Sequence, residues 1–225
     1  MGPWDIMSQH FIERKQPPEG ISSFTKIRLG WISEDQVLLV NPGDTKHAFL
    51  SPLSKMGETL AVKIPLGQQS SDSPGDYYLI ENRQPIGYDA ILPDSGILIL
   101  RINEDAMEGS GTVKVMDADP DSQHFSHATF HLDKNKRNTF VDEKNGVAII
   151  PLWSENGKNG VLITTPARFP DALKAALMIQ ELIKRFPEPR GEKEKNVVEE
   201  IISYFKKSDF KTCYEISKQA LQGTE

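Results

Sequence analysis

Short apolar segments, separated by clusters of turn-forming residues, run through the chain as far as about Pro166. The clusters are rich in Gly, Pro, Asn and Asp, and lie at residues 41–44, 73–76, 93–96 and 156–160. The segments between them are of strand length and rich in β-branched and aromatic residues. This spacing favours an antiparallel sheet or sandwich over repeated βαβ units. We therefore expect an α+β protein with a mainly antiparallel β-sheet or β-sandwich body.

The individual elements of this body follow from local pattern. The predicted strands cover residues 36–40, 59–64, 77–81, 96–102, 111–116, 146–153 and 160–164. The last two are expected to pair as a hairpin across the Asn- and Gly-rich segment 156–160. Residues 21–29 are the one helical segment predicted in the body, with Ser22 and Ser23 available as cap residues.

The remainder of the chain has a helical pattern of apolar residues. Three segments are predicted, at residues 171–186, at residues 198–207 and after Asp209. Asp171 and Asp209 are the expected N-caps, residues 192–195 are expected to be a charged linker or first turn, and the Pro-Glu-Pro stretch 187–189 ends the first helix. We expect a helical hairpin or small bundle over residues 167–225, beside a β-rich domain over residues 36–166.

Composition excludes some classes of protein. Of the 225 residues, 26 are Lys or Arg and 32 are Asp or Glu, so the net charge of −6 argues against a nucleic-acid partner. No apolar stretch approaches the roughly 20 residues that a membrane span needs. The N-terminus does not have the pattern of a signal peptide. Cys213 is the single cysteine, so no intrachain disulfide and no CxxC motif is expected.

Two ordered blocks of sequence carry a family resemblance. Residues 2–8 read GPWDIMS and residues 17–31 read PPEGISSFTKIRLGW. Residues 77–83 read YYLIENR, followed by GYD at 87–89 and LPDSGILI at 92–99. Together they resemble the immune-inhibitor-A-type zinc metallopeptidases, in which a W-D-[IL]-M-[SD] Met-turn precedes a P…K…LGW segment and a YFLxENRQ…G(F/Y)D…LP…GLLI block. The later body resembles the family only loosely, and the helical tail does not.

The resemblance implies a secreted, zinc-dependent endopeptidase. Such an enzyme needs two His one helical turn apart, a Glu between them as general base, and a third ligand. No HExxH motif occurs in this sequence, and the family places that helix before the Met-turn. The expectation is therefore a C-terminal fragment of a metalloendopeptidase that begins at the Met-turn and is inactive alone, with residues 1–35 as the remnant of the catalytic domain. Its expected partner is an upstream catalytic polypeptide or another protein chain.

Within that resemblance, Met7 would form the apolar floor beneath the zinc, with Trp4 and Asp5 in the same turn. Without context, the ordinary interpretation is a surface turn whose Trp4 and Met7 pack into a core. Because the catalytic helix is missing from the sequence, we expect Trp4, Ile6 and Met7 to be exposed, mobile or covered by a partner chain. Burial of these residues within one ordered chain would count against a truncated enzyme.

Two other groups of residues are candidate metal ligands. The spacing of His124, His127 and His131 is compatible with a transition-metal site, for which His127 and His131 are the better candidates on a strand. The alternative is a set of solvent-facing or hydrogen-bonded histidines on an irregular strand. The alternating carboxylates of Asp117, Asp119 and Asp121 suit a loop calcium site, although the Gly and distal Glu of an EF-hand are missing. Acidic turns of this kind are otherwise simply solvated.

Glu81 and Arg83, two residues apart on a predicted strand, are expected to share a face. They either form a buried ion pair or line a substrate cleft, and we favour the structural role because buried charges are costly unless paired. A second function also fits the sequence. The chain can be a non-catalytic β-sandwich module that binds protein or glycan, a hypothesis that exposed aromatics on one sheet face would favour. A third hypothesis is an independent hydrolase with an unrecognised site, although no G-x-S-x-G elbow occurs.

Overall fold

A computed structural model describes residues 1–8, 18, 20–67, 75–107, 110–132, 138–186 and 191–222. Over these residues, nine strands form two sheets, and four α-helices precede or follow them. The strands are β1 (Val37–Leu39), β2 (Lys46–Leu50), β3 (Ala61–Leu66), β4 (Asp76–Arg83), β5 (Gly96–Asn103), β6 (Val113–Met116), β7 (Phe140–Asp142), β8 (Val147–Glu155) and β9 (Lys158–Thr164). The helices are α1 (Ser23–Arg28), α2 (Phe169–Arg185), α3 (Glu192–Lys206) and α4 (Phe210–Gln222).

The two sheets are mostly antiparallel. Sheet A has the strand order β1-β3-β4-β5-β6, and sheet B has the order β2-β9-β8-β7. Only the β1–β3 pair is parallel among the pairs described. The predicted α+β fold, a β-sandwich-like body with a helical tail, is thereby confirmed.

The continuous apolar runs in the sequence are explained by a sandwich whose two sheets are covered on their outer faces as well. In β4, Tyr78 and Ile80 point into the core between the sheets, whereas Tyr77 and Leu79 point to the outer face of sheet A. In β9, Val161 lies between the sheets and Leu162 faces the helices. Because successive side chains alternate between faces, burial of both faces requires continuous apolar strands.

The predicted hairpin is formed by β8 and β9, but its turn is shorter than the Asn- and Gly-rich stretch suggested. The strands extend to Glu155 and Lys158, which leaves a two-residue loop. Asn156 and Gly157 have φ angles of 52° and 74°. Two consecutive positive φ angles are the signature of the tight hairpin turn that Asn-Gly sequences favour.

The helix boundaries correct two predictions. Helix α1 is confirmed, and the Ser22 hydroxyl accepts a hydrogen bond from the Thr25 amide as its cap, at 3.4 Å. Asp171 is not the N-cap of α2, because the helix begins at Phe169 after Arg168 and places Asp171 in its first turn. Helix α3 begins at Glu192 rather than at residue 198, so the second of the two alternatives for residues 192–195, a first helical turn, is confirmed. The predicted Pro-Glu-Pro stop at 187–189 lies outside the described residues.

The last helices form a layer on sheet B. Asp209 caps α4 as predicted, since its carboxylate accepts a hydrogen bond from the Thr212 amide at 3.2 Å. Ala176, Phe205 and Cys213 pack with Ile150 in one apolar cluster. None of the helices among the described residues is long and apolar enough to cross a membrane.

Candidate functional site

The segment predicted to be a Met-turn, here called the N-terminal turn, consists of two short 3-10 turns, Gly2–Trp4 and Ile6–Ser8. Trp4 is fully buried against the outer face of sheet A, and its indole nitrogen donates a hydrogen bond to the Phe125 carbonyl at 2.7 Å. The expectation that Trp4 would be exposed, mobile or covered by a partner chain is therefore wrong, and its burial counts against a truncated enzyme. Met7, by contrast, is 76% exposed, as expected, and Ile6 is half-buried.

Asp5 fixes the turn to the start of α1. Its Oδ1 accepts a hydrogen bond from the Met7 amide at 2.9 Å. Its Oδ2 accepts three more, from the amide and hydroxyl of Ser22 at 3.0 and 2.5 Å and from the Thr25 hydroxyl at 3.1 Å. Asp5 is only 3% exposed. A buried carboxylate that is surrounded by four donors holds two chain segments together and has little capacity left for a ligand.

Arg83, the last residue of β4, connects this strand to the turn. Its guanidinium is completely buried and donates to the Trp4 carbonyl at 2.7 Å and to Glu81 at 3.0 Å. Two further hydrogen bonds, of 3.0 and 2.8 Å, run in bidentate fashion to the two oxygens of Asp89. Burial by itself would lower the pKa of Arg83, but the charges of Glu81 and Asp89 raise it above its usual value. We call Glu81, Arg83 and Asp89 the ionic cluster.

The ionic cluster also touches α1. The second oxygen of Glu81 accepts a hydrogen bond from the Ser23 amide at 2.7 Å, where the partial positive charge of the helix N-terminus favours an anion. The buried Glu81–Arg83 pair is the structural alternative favoured from the sequence, and it is confirmed. Asp89 was not recognised as their partner, although it closes the GYD stretch of the same sequence block.

A cleft of about 490 Å³ borders the ionic cluster at Asp89. Its lining is predominantly apolar and includes Trp31, Leu53 and Met56. The ammonium group of Lys26 lies in this wall and donates to the Leu53 carbonyl at 2.6 Å. Burial lowers the pKa of Lys26 below its usual value, although the charges of Asp89 and Glu81 oppose this shift. Sequence reasoning missed the cleft, since its walls come from segments far apart in the chain.

The candidate histidines lie beside different carboxylates. The His131 Nε2 atom is 3.1 Å from the Thr129 hydroxyl and 3.6 Å from Asp94. The His127 Nδ1 atom is 3.6 Å from Asp119. His124 is exposed and has a φ of 56°. Over the described residues, no group of three or more His, Cys, Asp and Glu side chains is arranged to hold a metal ion.

The candidate calcium ligands lie on a turn after β6. The Asp117 carboxylate accepts a hydrogen bond from the Asp119 amide at 3.0 Å, as in an Asx-turn. Asp119 is the carboxylate beside His127, whereas Asp121 is exposed. The three side chains therefore share a turn, and two of them already make local contacts.

Comparison with models of protein families, with curated proteins and with solved structures gives no significant match for this chain. The interpretation of its function consequently depends on the residues and contacts described above.

Proposed function

We propose that this chain provides the Met-turn support of a zinc metalloendopeptidase of the immune-inhibitor-A type, and that it is inactive by itself. One observation carries the proposal. Met7 stands 76% exposed on a turn whose other residues are anchored by Asp5 and Arg83. An exposed thioether on a fixed turn is an apolar surface against which another element can pack.

The contacts of the turn support this role. Asp5 and Arg83 hold its backbone with charge-assisted hydrogen bonds, which are shorter and stronger than neutral ones. Among the residues that the structure describes, the candidate ligand side chains do not fit the role of zinc ligands. The Asp5 carboxylate is engaged by four donors, and His127 and His131 are directed at separate carboxylates. In this proposal, a segment that carries an HExxH helix contributes the ligands and the general base.

The test compares the purified chain with the same chain co-expressed with the polypeptide encoded upstream of it. We expect no stoichiometric zinc and no casein hydrolysis from the chain alone, and both from the co-expressed pair. Met7→Glu should lower the activity and zinc content of the pair, because it introduces a charge into the packed surface. Met107→Glu is the matched control, since Met107 is 80% exposed and follows β5 at the strand end remote from Arg83.

Two results would overturn the proposal. One is tightly bound zinc together with proteolysis from the chain alone. The other is an upstream sequence that encodes no HExxH in any reading frame. An unchanged activity of the pair with Met7→Glu would remove the role assigned to Met7.

A second function, a binding module for protein or glycan, is supported by a different observation. Trp31 and Tyr88 are 65% and 84% exposed and border the same cleft. They lie in turns rather than on a sheet face, where such aromatics were expected. Glycan-array and pull-down measurements test this function. Binding that Trp31→Ala abolishes and Met7→Glu leaves unchanged would favour it over the peptidase role.

A further inference from the structure

The cleft beside the ionic cluster has the features of a ligand site. Met56, Tyr88 and Trp31 are 90%, 84% and 65% exposed, and all three border this one cavity of about 490 Å³. Single exposed apolar residues are ordinary, but three large ones around one concave surface mark a binding site. The volume is also within the range of small-molecule pockets.

The charged groups of the cleft favour an anion. Lys26 and Lys55 contribute two positive charges to its lining. Asp89 contributes the negative charge, but both of its oxygens are bound by the buried guanidinium of Arg83. The Lys26 ammonium uses one of its three hydrogens on the Leu53 carbonyl, and burial has already removed part of its hydration. A carboxylate that reaches this ammonium therefore displaces little water from it.

A second polar group in the lining of the cleft belongs to the residue after Leu53. Ser54 directly follows the carbonyl that Lys26 contacts, and it lines the same cleft. Its hydroxyl oxygen is buried and has no hydrogen-bond partner among the residues that the structure describes. Because this oxygen is buried, a ligand oxygen reaches it only after the Ser54 side chain rotates toward the cleft, and the new hydrogen bond then offsets the free-energy cost of the unpartnered hydroxyl.

We propose that this cleft binds a small organic acid, with its carboxylate at Lys26 and Ser54 and its apolar body between Trp31, Met56 and Tyr88. This inference is independent of the peptidase proposal, because it concerns neither the Met-turn nor zinc. Either proposal can fail while the other holds.

The chain carries its own fluorescent reporter for this site. Of its three tryptophans, Trp4 is fully buried and Trp153 is 9% exposed, whereas Trp31 is 65% exposed and lies in the cleft. Three ligands that share one apolar body but differ in the charge of their end group then show which charge the cleft prefers. We would titrate 4-phenylbutyrate, 4-phenyl-1-butanol and 4-phenylbutylamine, and follow both tryptophan emission and heat.

We expect 4-phenylbutyrate to bind with 1:1 stoichiometry, to shift the emission to shorter wavelength, and to bind about tenfold more tightly than the amine. Trp31→Phe should remove the emission shift but leave the binding heat. Equal affinities for the acid, the alcohol and the amine would overturn the proposal, as would the absence of any saturable binding.

Substitutions test the polar part and the apolar part of the site separately. Ser54→Ala should weaken only the acid, and it should fold normally because it deletes a hydroxyl without a described partner. Lys26→Met should reduce the acid-to-amine ratio to about one while binding of the alcohol persists. Met56→Gln should weaken all three ligands, whereas Met107→Gln, at a similarly exposed Met elsewhere, should not. Acid binding that is unaffected by Ser54→Ala and by Met56→Gln would place the ligand elsewhere and overturn the assignment.

Discussion

The two outer faces of the sandwich are covered by different kinds of contact. On sheet A, the N-terminal segment and α1 pack through Trp4 and Phe24. They are also fixed by directional hydrogen bonds between backbone groups and the charged side chains of the ionic cluster and Asp5. On sheet B, the helical layer α2–α4 is attached through apolar packing. Phe205 of that layer is 1% exposed and has Trp153 and Phe210 as neighbours, with ring centroids 5.6 and 5.3 Å away.

The two layers are expected to differ in how well they tolerate substitutions. Apolar packing tolerates changes of shape that keep the volume. A buried ion pair is different, because loss of one partner leaves an uncompensated charge in the interior. The N-terminal turn is therefore held in one geometry, whereas the helical layer is expected to accept local rearrangement. The following substitutions test this contrast in order of expected effect.

The largest effect is expected for Arg83→Met, which removes the partner of Glu81 and Asp89 and keeps an apolar side chain in place. Two buried carboxylates then lack their counter-ion, and the free energy of unfolding should fall by about 3–5 kcal/mol. Urea denaturation followed by circular dichroism measures this loss. Arg101→Met is the control: its pair with Asp76 is 41% and 28% exposed, so a loss of at most about 1 kcal/mol is expected. Equal losses for the two variants would refute the contrast.

Gly20→Ala tests the rigidity of the ionic cluster by a substitution at a residue that lies against it. A Cβ atom at Gly20 would lie 2.2 Å from the Asp89 Oδ1 atom, which Arg83 holds in place. Because the carboxylate cannot move without breaking that bond, we expect a loss of about 1–3 kcal/mol, as in overpacked cores. Gly191→Ala is the comparison, since no atom of the described residues, its chain neighbours aside, lies within 4 Å of its Cβ position. A neutral Gly20→Ala would show that Asp89 has room to move.

The smallest effect is expected for Phe205→Leu in the helical layer. The substitution keeps an apolar side chain between Trp153 and Phe210, and the surrounding helices can adjust. We expect a loss of about 1.5 kcal/mol or less, measured by urea denaturation under the same conditions. Arg83→Lys, the equally conservative change in the ionic cluster, should cost more, because Lys cannot form the bidentate bond to Asp89. The opposite ranking of these two variants would contradict the difference between the faces.

Long apolar strands and capped helices were predictable from sequence because their signals are local. The apolar runs of β4 and β5, the β8–β9 hairpin and the Ser22 cap depend on neighbouring residues alone. Strands β2 and β7 were missed. β2 begins with Lys46 and His47 at the edge of sheet B, and β7 has only three residues, so neither has a clear apolar pattern. Helix α3 was predicted too short because its first turn is charged rather than apolar.

The candidate site was predictable only where its contacts are close in sequence. Glu81 and Arg83, two residues apart on a strand, were correctly expected to share a face. The burial of Trp4 could not be foreseen, because its partner Phe125 is 121 positions further along the chain. The cleft was not predicted for the same reason, since its walls come from the segments around Lys26, Met56 and Tyr88. Contacts over such distances are set by the packing of the whole sandwich.

The long-range contacts of Trp4 also have a consequence for the order of events during synthesis. The Trp4 indole bonds to residue 125, and its carbonyl bonds to a residue 79 positions away. At about 5–20 residues per second, roughly 6–24 seconds separate translation of Trp4 from translation of Phe125. The turn around Trp4 is thus translated well before the residue that its indole binds, and it can reach its final position only after that residue has been made. A chaperone or a neighbouring polypeptide has that interval in which to meet its apolar side chains.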